Sequence, residues 1–426
     1  MNLFKNYSGL PKSVYVLFVA QVINRFGDFV MPFLTLFLTT HLGFSNKSAG
    51  AAVMVTVLAS IPGAFTGGKI ADHFGRKKAY MIFQGTAGVA IFLCTFTRNP
   101  WIIISLIAIS SFFNGGVRPI ITAIMTDVLK PEERKLGFSL TYLGINIGVA
   151  LGPLLAGFLF NHYLFMIFIG DAITTALAVS LVGLHIKETL PSRLEDSPVI
   201  EKIVGNTALE NAETGSIFSV LGRRPQVLLF LVFNIFYSAT YAQHSFSMPI
   251  MINHVFGDRG PTYFGTLMSV NAITVLAFTM ILAHFTHKWR PLSGIVIGGI
   301  AYIVGFGMIS FSRVLPLFWI STFIWTLGEI LVVTNFGVYI SNNTPQNFRA
   351  RISAVTSLSW AFGSIFGTYF IGMYMDATSV EAVWPFVSLI VMVGTLGMIG
   401  IRWYDGRLRP IKECPEISSI LCEEIE

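Results

Sequence analysis

The sequence predicts an all-α membrane protein with twelve transmembrane helices in two six-helix bundles and both termini cytoplasmic. Three observations predict it. Of 426 residues, 54% are hydrophobic and only 12% are charged, against roughly 25% charged in a typical soluble domain, so most of the surface has to face something other than water. Twelve apolar runs each supply the about 20 residues that a helix needs to cross the hydrocarbon core. The second half of the chain also repeats landmarks of the first, at an offset near 214 residues.

The runs fall at 14–40, 48–71, 79–97, 101–127, 135–160, 163–186, 226–254, 262–286, 291–311, 315–341, 350–374 and 382–403. The first is too long for the apolar core of a secretory signal and lacks a small-residue cleavage site, so it is expected to remain as the first helix. The longest polar stretch, from Lys187 to Pro225, divides the runs six and six. The expected organisation is therefore a first bundle over 1–187, a cytoplasmic linker over 188–225, a second bundle over 226–404 and a cytoplasmic tail over 405–426.

The net charge of +6 does not point to nucleic acid, because of where the cations lie. Of 28 Lys and Arg, 22 fall in the termini and even-numbered loops and four (Lys47, Arg98, Arg259, Arg313) in the odd loops; Arg25 and Arg118 lie inside runs. That skew follows the positive-inside rule and places both termini in the cytoplasm. Cys94 lies in an apolar run and Cys414 and Cys422 in the tail, so no disulfide is expected.

The repeat pairs Gly43 with Gly257, Pro131 with Pro345, Lys135 with Arg349 and Ser139 with Ser353. Gly43 and Gly257 each follow a run that contains Met-Pro, at Met31-Pro32 and Met248-Pro249. One residue out of register, Gly148, Gly152 and Gly157 pair with Gly363, Gly367 and Gly372. Parallel repeats about an axis along the membrane normal are a transporter plan, with the binding site between the halves at mid-membrane.

Between the second and third runs stands Gly68-x-x-x-Asp72-His73-x-Gly75-Arg76-Lys77-Lys78. It resembles the signature loop of the major facilitator superfamily, with His73 where a basic residue is usual. Asp127-Val128-Leu129-Lys130-Pro131-Glu132-Glu133-Arg134 resembles that family's loop between helices 4 and 5. The resemblance implies a conformational gate made by Gly68, Asp72, Gly75, Arg76, Asp127 and Arg134. In the fifth run, Gly148, Gly152, Pro153 and Gly157 resemble the family's antiporter motif, which is associated with export; Ala156 replaces one glycine. Thr326-Leu327-Gly328-Glu329-Ile330 resembles helix 10 of the multidrug/proton antiporters. Known members also carry carboxylates in helices 5 and 7, where this chain has Thr141 and Ser245.

Charges inside apolar runs are rare because they are expensive in lipid, about 3 kcal/mol at a helix centre on insertion scales, and they usually face a cavity. Polar residues at helical spacing occupy the first run (Gln21, Asn24, Arg25, Asp28, Thr35, Thr39), the fourth (Ser111, Asn114, Arg118, Thr122), the seventh (Asn234, Tyr237, Ser238, Tyr241, Ser245) and the tenth (Thr322, Trp325, Thr326, Glu329). The resemblance implies that these four helices line the cavity. Asp28, Glu329, Arg25 and Arg118 are expected at one level, with Asp28 paired to Arg118 or Arg25 and Glu329 the less compensated acid. A carboxylate buried without a cation holds its proton to higher pH, which is what proton coupling requires. Asn24, Asn114, Tyr142, Tyr237, Tyr241, Ser245, Trp325 and Trp360 are expected to line the substrate cavity. Asp171 is expected to be structural.

The expected function is secondary active transport: proton-coupled efflux of amphipathic drugs or related small molecules by a monomer in a bacterial plasma membrane, in contact with membrane lipids. The alternatives are proton-coupled transport of a nutrient, metabolite or lipid, and a non-transporting receptor on the same fold. With no P-loop, HExxH, GxSxG or metal-ligand spacing, neither an enzyme nor any cofactor or metal is expected.

Overall fold

The computed structural model describes residues 9–130, 133–190, 221–345 and 349–408. Most of the expected linker, most of the expected tail with Cys414 and Cys422, and Pro131 lie outside the described residues. Lipid offers no water to backbone N–H and C=O groups, so spanning segments have to bond them internally, and the described elements are helices. The first half contains α1 (Lys12–Phe26), α2 (Val30–Thr40), α3 (Asn46–Phe74), α4 (Arg76–Leu93), α5 (Pro100–Val128), α6 (Arg134–His162) and α7 (Leu164–His185). The second contains α8 (Pro225–Tyr241), α9 (Ser247–Phe256), α10 (Gly260–Thr286), α11 (Pro291–Ile309), α12 (Leu315–Asn342), α13 (Arg349–Ala377) and α14 (Val383–Leu408).

Two runs expected as single helices are broken: 14–40 between α1 and α2, and 226–254 between α8 and α9. A Met-Pro pair follows each break. Pro32 and Pro249 each lie at the third position of a helix, where the missing N–H costs no intrahelical bond and suits a helix start. Proline alone does not force a break, since Pro62, Pro119 and Pro153 lie inside unbroken helices. The helix bounds follow the same offset. Adding 214 to the bounds of α1 to α6 reproduces those of α8 to α13 within three residues. Gly43 and Gly257 both have positive φ, 67° and 55°, at the turns after α2 and α9.

Ten stretches among the described residues are long and apolar enough to cross a membrane. One, Pro225–Thr286, is 62 residues long and contains α8, α9 and α10. α13 is not among the ten, although at 29 residues it is as long as α6.

Packing differs between the two ends of the molecule. At the end that carries Asp376, the halves share one apolar core that joins Phe33, Phe37 and Phe160 to Phe246 and Phe264; the rings of Phe33 and Phe264 meet edge to face at 5.3 Å. Two helix seams cross there. α6 packs on α10, where Ser269 Oγ donates to the Ala150 carbonyl at 2.5 Å and Asn161 Nδ2 to Thr262 Oγ1 at 3.2 Å. α3 packs on α13, where Gly50 faces the Thr368 carbonyl and Gly372 the Asn46 carbonyl. Toward the other end, marked by Asp72, a second core from Leu10 to Ile186 belongs to the first half alone. Asn114, Arg118 and Thr122 lie one helical turn apart on α5 and are exposed. Polar side chains exposed within a span border water rather than lipid, so a cavity opens toward the Asp72 end.

The glycine repeat is explained by this packing. Gly148 and Gly152 admit α1 beside Arg25 and Phe26, and Gly363 and Gly367 admit α8 beside Ser238 and Ala239. Gly157 meets Pro261 across one seam and Gly372 meets Asn46 across the other. Two neighbouring glycines of α3 differ sharply in surroundings. A Cβ on Gly67 would lie 2.5 Å from Gly116 Cα, whereas one on Gly68 would meet nothing within 4 Å. Gly67→Ala should therefore lower the melting temperature of the purified protein, by the equivalent of about 1–3 kcal/mol of overpacking. Gly68→Ala should leave it unchanged; equal melting temperatures for the two variants would contradict this packing.

Candidate functional site

The polar residues inside the helices form two separate centres. The first lies in the first half, around the break between α1 and α2. Arg25 Nη1 donates to Asp28 Oδ2 at 3.1 Å, and both side chains are partly exposed. The Asp171 carboxylate on α7 lies near the N–H groups of Val30 and Phe29 and the Thr175 hydroxyl; the Phe29 N–H itself bonds to the Gly27 carbonyl at 2.7 Å. Asn24 Nδ2 donates to Thr175 Oγ1 at 3.3 Å. On α4 and α5, Gln84 Nε2 donates to Asn114 Oδ1 at 3.3 Å.

The second centre is built on Glu329 of α12. Tyr241, at the end of α8, donates its hydroxyl to Glu329 Oε1 at 2.8 Å, and Asn271 of α10 donates Nδ2 to Oε2 at 2.8 Å. The same amide lies 3.0 Å from Thr326 Oγ1, so Asn271 ties α10 to two successive turns of α12. Aromatic rings surround Tyr241: Trp360 at 5.6 Å, Trp325 at 6.4 Å and the His244 imidazole at 4.4 Å. The groups that hold Glu329 are neutral donors, which satisfy the carboxylate without fixing its charge.

Several expectations need correction. Asp28 takes Arg25, one of its two expected partners, inside the first half, and neither arginine is among the described hydrogen-bond partners of Glu329. Tyr237 is buried, with its hydroxyl on the Ile295 carbonyl at 3.3 Å and Thr395 Oγ1 at 3.0 Å, so it packs inside the second half rather than lining the cavity. Trp325 is fully buried and stacks on Phe306 at 5.5 Å, behind Tyr241. Ser245 donates to the Ala242 carbonyl at 3.2 Å and closes the helix break. Tyr142 remains exposed and Trp360 partly so. Asn271 and His244 were not expected in the site. Asn271 stands in the sequence as a lone amide in an apolar run, but nothing local says which neighbour it faces.

At the Asp72 end, the signature loop is tied into one network. Arg76 Nη1 donates to Asp72 and Nε to Asp127 Oδ2 at 3.1 Å. Thr189 Oγ1 donates to the same Asp127 oxygen at 3.2 Å. Glu188 Oε1 accepts from the Arg76 N–H at 2.5 Å and the Lys77 N–H at 3.3 Å, and so caps α4 from the end of α7. Gly75 has φ 109°, and a Cβ there would collide with the Glu188 carboxylate, so the loop needs glycine twice over. Arg134 Nη2 donates to the Thr126 carbonyl at 3.4 Å and ties the start of α6 to the last turns of α5. Asp72 itself is 62% exposed.

Helix pairs repeated at a fixed offset, an exposed polar face on α5 and carboxylates inside the spans point to a multi-pass membrane transporter. The chain belongs to the Major Facilitator Superfamily, whose profile matches residues 17–368. It is similar to the MFS-type transporter YqjV of Bacillus subtilis (strain 168), with 23% identity over 87% of this chain and 88% of that protein. It is also similar to a Na(+), Li(+), K(+)/H(+) antiporter of Planococcus maritimus, with 25% identity over 78% of this chain and 82% of that protein. Among solved structures, it shares its fold with a POT family transporter in complex with a thioalcohol-conjugated peptide. That match has a TM-score of 0.78 and 16% identity, covering 93% of this chain and 97% of the other. The family and these relatives are transporters, and the chain is not an enzyme.

Glu188 offers a direct check of the network. Partial burial opposes its charge, but the N–H groups of Lys77, Arg76, Leu190 and Lys78 outweigh burial and hold the carboxyl below the usual range. A depressed folded-state value stabilises the fold above the unfolded value, about 4.3, and that contribution is lost only as pH falls through the folded value. Glu188→Gln should lower the melting temperature by the equivalent of about 1 kcal/mol, the usual effect of losing a helix cap. The deficit should be constant from about pH 6 to 8 and shrink in acid. A deficit that instead changed across neutral pH would contradict the assignment.

Proposed function

We propose that the protein exports amphipathic small molecules in exchange for protons, by alternating access between two six-helix bundles (1–187 and 226–404). The 62-residue stretch Pro225–Thr286 is too long for one crossing, and its three helices suit two. With α13, the repeat partner of α6, counted as a crossing, the total becomes twelve. The excess of Lys and Arg at the termini and even loops supports cytoplasmic termini joined by a cytoplasmic linker, so the cavity described above opens to the cytoplasm. The protein acts as a monomer in the plasma membrane of a bacterium.

The observation that carries this reading is Glu329, an acid within a span that is held by Tyr241 and Asn271 rather than by a cation. Neutral donors leave the carboxylate able to exist with or without a proton, and a change of charge beside the cavity changes what the cavity prefers to hold. The aromatic surroundings of Tyr241, with exposed Tyr142, suit an apolar body with a polar end. In the outward-facing state Glu329 takes a proton and substrate leaves; in the inward-facing state the proton departs and substrate enters. The likeness of Gly152-Pro153 and its flanking glycines to the antiporter motif supports export.

A second reading is exchange of alkali cations for protons. Asp28 and Asp171 lie together at the α1/α2 break, and the Planococcus relative is described as a cation/proton antiporter. Broken helices are where transporters of other folds hold ions.

Reconstitution in liposomes with an internal pH dye and an imposed proton gradient separates the readings. Lipophilic dyes and drugs should drive proton movement in the wild type, and Glu329→Gln should abolish it. Movement driven by Na(+) or K(+), abolished by Asp28→Asn and retained in Glu329→Gln, would establish the second reading instead. Drug-driven movement undiminished in Glu329→Gln would remove Glu329 from the mechanism.

A further inference from the structure

The seam between α3 and α13 holds an interaction that neither the family motifs nor the cavity accounts for. Asp376, in the last turn of α13, accepts three hydrogen bonds from the first turn of α3. Its Oδ1 takes the Asn46 N–H at 3.0 Å and Asn46 Nδ2 at 2.8 Å, and its Oδ2 takes the Lys47 N–H at 2.9 Å. The next N–H, of Ser48, bonds to Ser45 Oγ at 3.2 Å. The first N–H groups of a helix have no partner in the helix itself and form its positive pole. Here one bundle supplies the acid and the other supplies the pole. The Lys47 ammonium also lies 6.0 Å from the centre of the Tyr369 ring of α13.

The two inter-bundle seams are related by the repeat, yet only one is built this way. Subtracting 215, the offset of the glycine trio in α6 and α13, from Asp376 leads to Asn161, in the last turn of α6, and adding 214 to Asn46 leads to Gly260, at the start of α10. At that seam the described end contact is the neutral pair Asn161 and Thr262, and the stronger bond, Ser269 to the Ala150 carbonyl, lies further along the helices. The anionic cap is therefore a one-sided addition to a symmetric scaffold. At the opposite end of α3, Gly68 faces open space and Asp72 is largely exposed.

We propose that Asp376 is the latch of the outer gate: carried on the second bundle, it caps α3 of the first and holds the cavity shut on that side. This rests on the alternating-access reading. Opening outward requires α3 and α13 to part at this end, which breaks all three bonds at once and returns the Asn46 and Lys47 N–H groups to water. The α6/α10 seam, bonded deeper, serves as the pivot.

Distance measurements in nanodiscs test it without substrate. Spin labels would be placed at positions 98 and 313, on the odd loops of the two bundles, with Cys94, Cys414 and Cys422 replaced by alanine. In the parent a short, narrow distance should dominate. Asp376→Ala should raise the long-distance population roughly three- to tenfold, the scale of a lost exposed charge–dipole contact with its hydrogen bonds. Asp376→Asn keeps the shape and should give a smaller rise, and Asn161→Ala at the other seam smaller still. If the distributions of Asp376→Ala and Asp376→Asn superimpose on that of the parent, Asp376 is not the latch. Failure to transport any compound would count against the transport reading alone, because the distances are read independently of turnover.

Discussion

Every break in a membrane helix frees backbone groups that lipid cannot satisfy, and the rest of this structure is arranged around how two such breaks are closed. Pro32 and Pro249 stand in the first turns of the helices that follow the breaks, and each half closes its own differently. In the first, the Phe29 N–H turns back to the Gly27 carbonyl at 2.7 Å, and the Asp171 carboxylate of α7 lies beside it and the Val30 N–H. In the second, the repair is local and neutral: Gln243 Nε2 bonds to the Ala239 carbonyl at 2.8 Å, and Ser247 Oγ to Gln243 Oε1 at 2.7 Å. An anionic repair in one half therefore stands against a neutral repair in the other. The first break gathers charge around it, in Asp28 and Arg25. The second ends α8 at Tyr241 and leaves its hydroxyl to meet Glu329.

The repeat makes that asymmetry legible. Shifted by 214, Arg25 falls on Ala239, Asp28 on Ala242, Arg118 on Val332 and Asp171 on Pro385; in the other direction Glu329 falls on Gly115, Asn271 on Val57 and Tyr241 on Gly27. Residues that shape the scaffold, such as Gly43 and Gly257 or the paired glycine trios, are the ones the two halves share. The polar groups of both centres are the ones they do not. A duplicated chain needs the same close approaches in each half, but two identical charge clusters would repeat one function instead of dividing it.

Helix positions could be read from the sequence because lipid enforces a long apolar run for each crossing. The breaks were only half written there: Met31-Pro32 and Met248-Pro249 follow them, but Pro62, Pro119 and Pro153 lie inside unbroken helices, so a proline in an apolar run does not by itself mark a break. Direction was harder. Spacing places Tyr237, Trp325 and Glu329 on faces of their helices without saying which neighbour each face meets, and two of the three turned out to be buried in their own half. Glu188 and Asp376 were illegible for a different reason. Each acts on backbone N–H groups of a distant helix, 112 and 330 residues away in the chain, and a backbone donor leaves no signature in residue type.

A transporter has to keep its two states close in free energy, since a gate held by several kcal/mol on one side would trap the protein there. The polar contact of Asp376 at the start of α3 suits that requirement. It is made by a carboxylate exposed to water, a setting in which a charge beside a helix pole contributes only about 0.3–1 kcal/mol. The apolar contacts of Phe33 on Phe264 and of Gly157 on Pro261 lie instead beside the α6/α10 seam, the proposed pivot. On the transport reading, protonation of Glu329 needs only to outweigh contacts of this modest size. That is a reason for the acid to be held by Tyr241 and Asn271 instead of by an arginine. A buried ion pair would be broken only at a cost of about 3–5 kcal/mol, more than the gates it has to move.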